Sequence, residues 1–431
     1  MTDMPFSAAA SAPASASNTC CGDFRTSRRR VLAGMGAVTG AAVASSMIGG
    51  AFREVAYGAT AANPNVLVVL SLRGGADGLS LVVPHADPGY LAARPGIGIP
   101  TEQLLAPGAM FGLHPKLAPL VPFWNAKTFG AVHAVGLPQP NRSHFSAMEV
   151  VEDADPGSAE RRGWINRLVG ALGTSDPVEG IQMGGSIIPT SLHGPAPVLG
   201  MNSLADLTFV GGPDNTAKSI ASTIALWSGR DGPLAQGVGA ATGTVDRFGD
   251  LAATKPAPQN GAVYPGSDLG NVLKNTAQLI RSQIGARVIT IDQGSWDMHV
   301  GLGSPSWGDM QWNADDLARS LAAFLTDLGA LSSQVTVVTV SEFGRRVAEN
   351  GAGGLDHGYG NCMLLLGGGV NGGDVHGQWP GLGAGKLVDG DLRVTRDYRS
   401  VFAEIVRSRF PEASVPAVFP DFTPEPIPIM T

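Results

Sequence analysis

The sequence predicts an α/β protein with a mostly parallel central sheet, and three observations predict it. Four short apolar runs, at 66–72, 130–136, 287–291 and 335–340, are continuous rather than alternating, as in strands buried on both faces. Stretches of helical period lie between them, the signature of α/β folds. Each run passes at once into polar or glycine-rich residues, and open α/β sheets bind ligands outside the carboxyl ends of their strands.

The first run, VLVVLSL (66–72), leads into RGGADG. The glycines permit a sharp turn that can aim backbone N–H groups at an anion, and Asp77 is expected at the same mouth. The Gly-x-Gly-x-x-Gly spacing of a dinucleotide site is missing. The second run, GAVHAVG (130–136), leads into LPQPNRSHF and a helix expected to start near Phe145. Ser143 there is both a candidate helix cap and a candidate nucleophile, since a helix N-terminus stabilises a developing alkoxide. Arg142 is suited to hold a tetrahedral oxyanion through two parallel hydrogen bonds, and Ser146 is a weaker candidate hydroxyl.

From about 175 to 265 the rhythm breaks into Pro, Gly, Ser and Thr, which reads as a loop-rich insertion that sets specificity. A helix follows with Leu269, Val272, Leu273, Ile280 and Ile284 on one stripe, Ser267 as its cap and Gly285 as its stop. The third run, RVITI (287–291), opens into DQGSWDMH, which places Asp292, Asp297 and His299 within eight residues. A second helix is expected from Asn313 to Gly329, with Leu317, Leu321, Phe324 and Leu328 inward. The fourth run, VTVVTV (335–340), is followed by Glu342, and the loop GGLDHGYGN then supplies Asp356 and His357. His85, His114, His133, His193 and His376 read as structural.

Composition bounds the function. The 431 residues are 44% hydrophobic and 15% charged with a net charge of -7, enough for one large core and unsuited to nucleic acid, which needs clustered Lys and Arg. The one arginine-rich stretch, TSRRRVLAGMGAVTGAAVASSMIGG, carries Arg28 and Arg29 before an Ala/Gly-rich apolar segment and resembles a twin-arginine export signal. Residues 1–62 are therefore expected to be signal and flank, with small residues at Ala56 to Ala62 for cleavage, and 63–431 the folded domain. That expectation makes the Tat translocation machinery a partner and the destination periplasmic or extracellular. Cys20 and Cys21 leave with such a signal, so Cys362 has no disulfide partner.

Five segments thus deliver oxygen or imidazole ligands to one inferred sheet mouth. Gathering carboxylates there costs stability unless a cation neutralises them. With no thiolate in the set, one or two divalent ions are expected: zinc, manganese, magnesium or calcium.

The motifs LRGGADGL, NRSHF, IDQGSWDMH, SEFGR and DHGYGN, in this order, resemble a Tat-exported bacterial family of unknown function within the alkaline phosphatase/sulfatase superfamily. The resemblance implies a three-layer fold with helices on both faces of the sheet. It implies that Asp77 and Ser143 lie by one metal, that Asp297, His299 and His357 bind another, and that Asp292 serves a third metal or its waters. Where phosphatases have an Asp-His pair, this chain has Glu342-Phe343, and it lacks the x-Pro-x-Arg of sulfatases. The implied activity is a metal-dependent hydrolysis of phosphate or related esters, with Ser143 attacking, Arg142 and His144 orienting the anion, and an anionic small-molecule or polymer ester as substrate. The alternative is a degenerate member that binds a ligand, polymer or partner without catalysis.

Overall fold

The computed structural model describes residues 64–155, 158, 160–173, 176–206, 216–230, 254–431 and six positions between 231 and 253. The segment expected to be a signal, and part of the 175–265 stretch, lie outside the described residues. Strands β1 (Val66–Leu72), β4 (Phe129–Gly136), β5 (Gly180–Met183), β6 (Leu199–Met201), β7 (Val288–Gln293), β8 (Val335–Val340), β9 (Asn361–Gly367), β10 (Val375–His376) and β11 (Arg396–Asp397) form one sheet. Strands β2 (Val82–Val83) and β3 (Gly112–Leu113) pair separately. The order is β10-β4-β9-β8-β1-β7-β5-β6, with β11 also on β4. All pairs in the large sheet are parallel except those of β9, which runs against both β4 and β8.

The expected runs 66–72 and 335–340 coincide with β1 and β8, and the other two become β4 and β7 with shifts of one or two residues. The segment read as a loop-rich insertion contributes β5 and β6, short strands whose glycines hid them, and the helix Thr216–Trp227.

Along β1, Val66, Val68, Leu70 and Leu72 join one apolar cluster while Leu67 and Val69 join another, as the two-residue period of a strand demands. The first cluster takes Leu269 and Leu273 from the helix Asp268–Arg281 and Leu317, Leu321 and Phe324 from the helix Asp309–Leu328. The second takes Ala147 from His144–Asp153, Trp164 from Trp164–Ala171 and Phe402 from Tyr398–Arg409. Ser267 caps its helix by accepting from the Gly270 N–H, as expected. The Asp309–Leu328 helix begins four residues before the expected Asn313. Among the described residues no helix is long and apolar enough to cross a membrane.

Strand register sets the site. Leu72 lies opposite Gln293, and Ser71 opposite Val340, so β1, β7 and β8 end at one level and release their loops together. Asn361 begins β9 opposite Val135 near the end of β4, which brings the segment preceding an antiparallel strand to the same edge. Leu317 has no exposed surface, and Leu317→Ala should cost about 2–5 kcal/mol, read as a shifted midpoint in denaturant unfolding.

Candidate metal centre

The loop after β7 alternates. Trp296 and Met298 are buried while Asp297 is exposed and His299 half-buried, so two core anchors turn the acid and the imidazole to the cleft side. This loop packs tightly on the one after β1: a Cβ on Gly74, whose φ is +115°, would lie 2.5 Å from the Asp297 amide nitrogen. Only glycine fits there.

Around Asp297 stand three imidazoles. His299 Nε2 lies 3.1 Å and His357 Nε2 3.4 Å from its Oδ1, and His144 Nε2 lies 3.6 Å from its Oδ2. Each ring is held from behind. His144 Nδ1 is 2.8 Å from Glu342 Oε1, His357 Nδ1 is 2.8 Å from the Arg142 carbonyl, and His299 Nδ1 is 3.0 Å from Asp356 Oδ1. Those partners only accept, so each Nδ1 carries the hydrogen and each Nε2 presents a lone pair inward. Yet His144 Nε2 and His357 Nε2 are 2.9 Å apart. Two lone pairs that close, beside a carboxylate, repel unless a proton or a cation lies between them. Anchored Nδ1 and converging Nε2 atoms are how proteins prepare imidazoles for a metal. His144, Asp297 and His357 can each offer an atom within 4.8 Å of the others, the one such group among the described residues.

The ring of Phe343 lies 4.9 Å from His144 and 4.8 Å from His357 between centroids. It braces both rings and offers no ligand. Glu342 is equally occupied: Oε1 accepts from the Gly74 N–H at 2.8 Å as well as from His144, and Oε2 accepts from Ser341 Oγ at 3.0 Å. It positions His144 and is not a direct ligand in this arrangement.

Three other candidates go elsewhere, each drawn into an arginine–aspartate pair. Asp77 turns into the core, where both its oxygens meet the guanidinium of Arg94 at 2.5 and 2.9 Å and both side chains are buried. Burial alone would raise its pKa, but Arg94 holds it below the usual carboxylate value. Asp292 pairs with Arg73 Nε at 2.9 Å, and Arg73 also reaches Glu152 at 2.6 Å. Arg142 gives its guanidinium to the buried Asp391, which leaves it no fork for an oxyanion. Ser143 is, as expected, the N-cap of the helix His144–Asp153; its side chain makes no capping bond and is exposed. His144, expected to orient an anion, instead joins the imidazole group. The five histidines read as structural each bond main chain, at Gly108, Lys116, Val82, Ile188 and Asn371 respectively.

Sequence reasoning overlooked Arg345, whose side chain is 1% exposed. Its guanidinium donates to Asp297 Oδ1 at 2.5 Å, to the Gly75 carbonyl at 2.6 Å, to the Leu355 carbonyl at 2.9 Å and to the Gly74 carbonyl. Partial burial pushes Asp297 up, but Arg345 holds it below its ordinary pKa. The sole signal was that SEFGRR carries two arginines at a strand end. The cluster opens on a cleft of about 640 Å³ lined by Arg73, Gly74, His144, Met148, Glu152 and Asp297 among others.

A family described as "Protein of unknown function (DUF1501)" matches residues 251–399, less than half of the chain, a span that holds Asp297, His299, Glu342 and His357. No curated protein matches the chain. Among solved structures it is similar to the C-terminal periplasmic domain of EcEptC from Escherichia coli in complex with Zn, with TM-score 0.32 and 12% identity over 71% of this chain and 74% of that one. It is similar to the PsFucS1 sulfatase from Pseudoalteromonas sp., with TM-score 0.32 and 12% identity over 83% and 70%. The phosphonate monoester hydrolase of Agrobacterium radiobacter gives TM-score 0.28 and 11% identity over 80% and 73%.

Asp77→Ala should strand the Arg94 charge in the core and cost about 3–5 kcal/mol, with metal content per folded chain unchanged. Because the folded pKa of Asp77 is lowered, its contribution is complete above the unfolded value and fades as pH falls toward the folded one. Unfolding free energies of wild type and variant should therefore converge in acid.

Proposed function

We propose that this chain is an exported, metal-dependent hydrolase of phosphate or related esters, with His144, Asp297 and His357 holding one divalent cation. The close approach of two Nε2 lone pairs at Asp297 carries the reading, because it describes a cage short of a positive charge. One ion rather than two fits the residues, since Asp77 and Asp292 already have arginine partners. Two imidazoles and a carboxylate suit zinc or manganese better than magnesium or calcium. A bound cation supplies a lowered pKa to a hydroxyl or water and offsets charge on the transferred group.

The chain's own residues do the rest. Ser143 is the attacking hydroxyl, uncommitted at a helix N-terminus and adjacent to His144 in sequence. The substrate of this reading is an anionic small-molecule or polymer ester, entering the cleft that His144 and Asp297 line. Glu342 and the Arg142 carbonyl keep two imidazoles aimed. The three-layer arrangement of the alkaline phosphatase type, the twin-arginine signal in residues 1–62 and delivery by the Tat machinery belong to the same reading.

The second reading, a binding protein without turnover, draws on the guanidinium of Arg345 at Asp297 and on the withdrawal of Arg142 to Asp391. The two are separated by experiment. Elemental analysis of protein exported by its own pathway should find about one zinc or manganese per chain, and Asp297→Ala or His357→Ala should remove it. Ser143→Ala should retain the metal yet lose at least about a thousandfold in turnover across phosphomonoester, phosphodiester and sulfate-ester substrates. Metal-free wild type would refute the cage, and full turnover by Ser143→Ala would refute the nucleophile.

A further inference from the structure

A second cleft opens on the other side of the Gly294–Ser295 turn. Its volume is about 550 Å³, and Gly294 and Ser295 line both clefts. Its walls include the carboxylates of Asp268, Asp292 and Asp316 and the carboxamides of Asn202, Asn271, Gln293 and Asn313, with no lysine or arginine. Asn313 Nδ2 donates to the Ser295 carbonyl at 2.6 Å, which fixes the partition between the two spaces.

Gln293 marks this cleft as a site. It is 8% exposed and lines the cavity, its Nε2 donates to Asp316 Oδ2 at 3.3 Å, and its Oε1 has no hydrogen-bond partner among the described residues. Turning the amide over would set oxygen against carboxylate, so Oε1 stays the unpaired acceptor, buried at the cleft wall. A buried amide oxygen left unpaired costs about 1–3 kcal/mol and asks for a donor.

The chemistry of that donor follows from the walls. Carboxylates repel an anion. A metal ion finds no cage, because Asp268, Asp292 and Asp316 form no convergent ligand group, Asp292 is paired with Arg73, and Asp316 already receives hydrogens from Ser267, Ser320 and Gln293. Carboxamides both donate and accept, so the walls suit a neutral ligand rich in hydroxyls, which does the same.

We propose that this cleft binds a saccharide, the polyhydroxylated part of a substrate whose anionic group meets the imidazole cluster across Gly294 and Ser295. The binding itself stands on the cleft, and only the assignment to substrate rests on the ester-hydrolase reading.

Isothermal titration calorimetry of the full chain with cellopentaose, maltopentaose and chitopentaose tests it. At least one should bind with a dissociation constant on the order of 1 mM or tighter. Gln293→Met should weaken it at least about tenfold. Because that residue is buried, the double variant Asn202→Ala, Asn271→Ala provides a fold-safe arm and should weaken binding as much, with melting temperature and metal content unchanged. No heat from any of the three at about 10 mM, or unaltered binding by the double variant, overturns the proposal. Binding of spermidine in place of the sugars overturns it too, by showing an organic cation site. Protein that binds sugar but turns over no ester would sink the hydrolase reading alone, and active protein that binds no sugar would sink the saccharide site alone.

Discussion

The buried guanidinium of Arg345 is the tie on which the sheet mouth depends. It donates hydrogen bonds to the carbonyls of Gly74, Gly75 and Leu355 and to the carboxylate of Asp297, so the loops after β1 and β7 and the segment joining β8 to β9 share one fixed centre. Placing such a charge in the interior carries a heavy desolvation penalty unless every donor is used. A planar fork that stays ionised is suited to the task, and a flexible ammonium is not. Glu342 works in the opposite sense from the same turn: it accepts from the Gly74 amide and from His144. Between them the two residues of β8's loop set both the position of Asp297 and the tilt of the facing imidazole.

Arginines also explain why the acids at the mouth do not translate into a count of metal ions. A carboxylate removed from water needs a counter-charge, and a guanidinium meets that need as well as a divalent ion does. Asp77, Asp292 and Asp391 are answered in this way by Arg94, Arg73 and Arg142. What remains is the set around Asp297, where three imidazoles face inward and each ring is fastened through its far nitrogen. Its chemistry is that of lone pairs without enough positive charge, and it sits where central strands end together.

Much of the framework was legible in order. Continuous Val, Leu and Ile runs are unambiguous when a strand is buried on both faces, and β1 and β8 were read to the residue. Two amphipathic helices were legible because Leu273, Leu317 and Leu321 recur at the right spacing. Strands β5 and β6 were hidden by their brevity and their glycines, and β9 by its position next to glycine-rich loops. The histidines divided correctly where local context decided: His133 lies inside an apolar strand and bonds the Val82 carbonyl. His144 was placed at the right mouth without its partners, since nothing local says that a ring will meet Glu342 on one side and His357 on the other.

By itself the sequence determined the four apolar strands β1, β4, β7 and β8, their ends to within two residues, and which oxygen and imidazole groups follow them, because burial and periodicity act over a few residues. Only the tertiary structure decided who meets whom. Arg94 reaches Asp77 across 17 residues, Arg142 reaches Asp391 across 249, and His144 approaches His357 across 213. Electrostatic partners are chosen by distances of about 3 Å in space, and no pattern along the chain encodes which of several arginines will arrive first at a given acid.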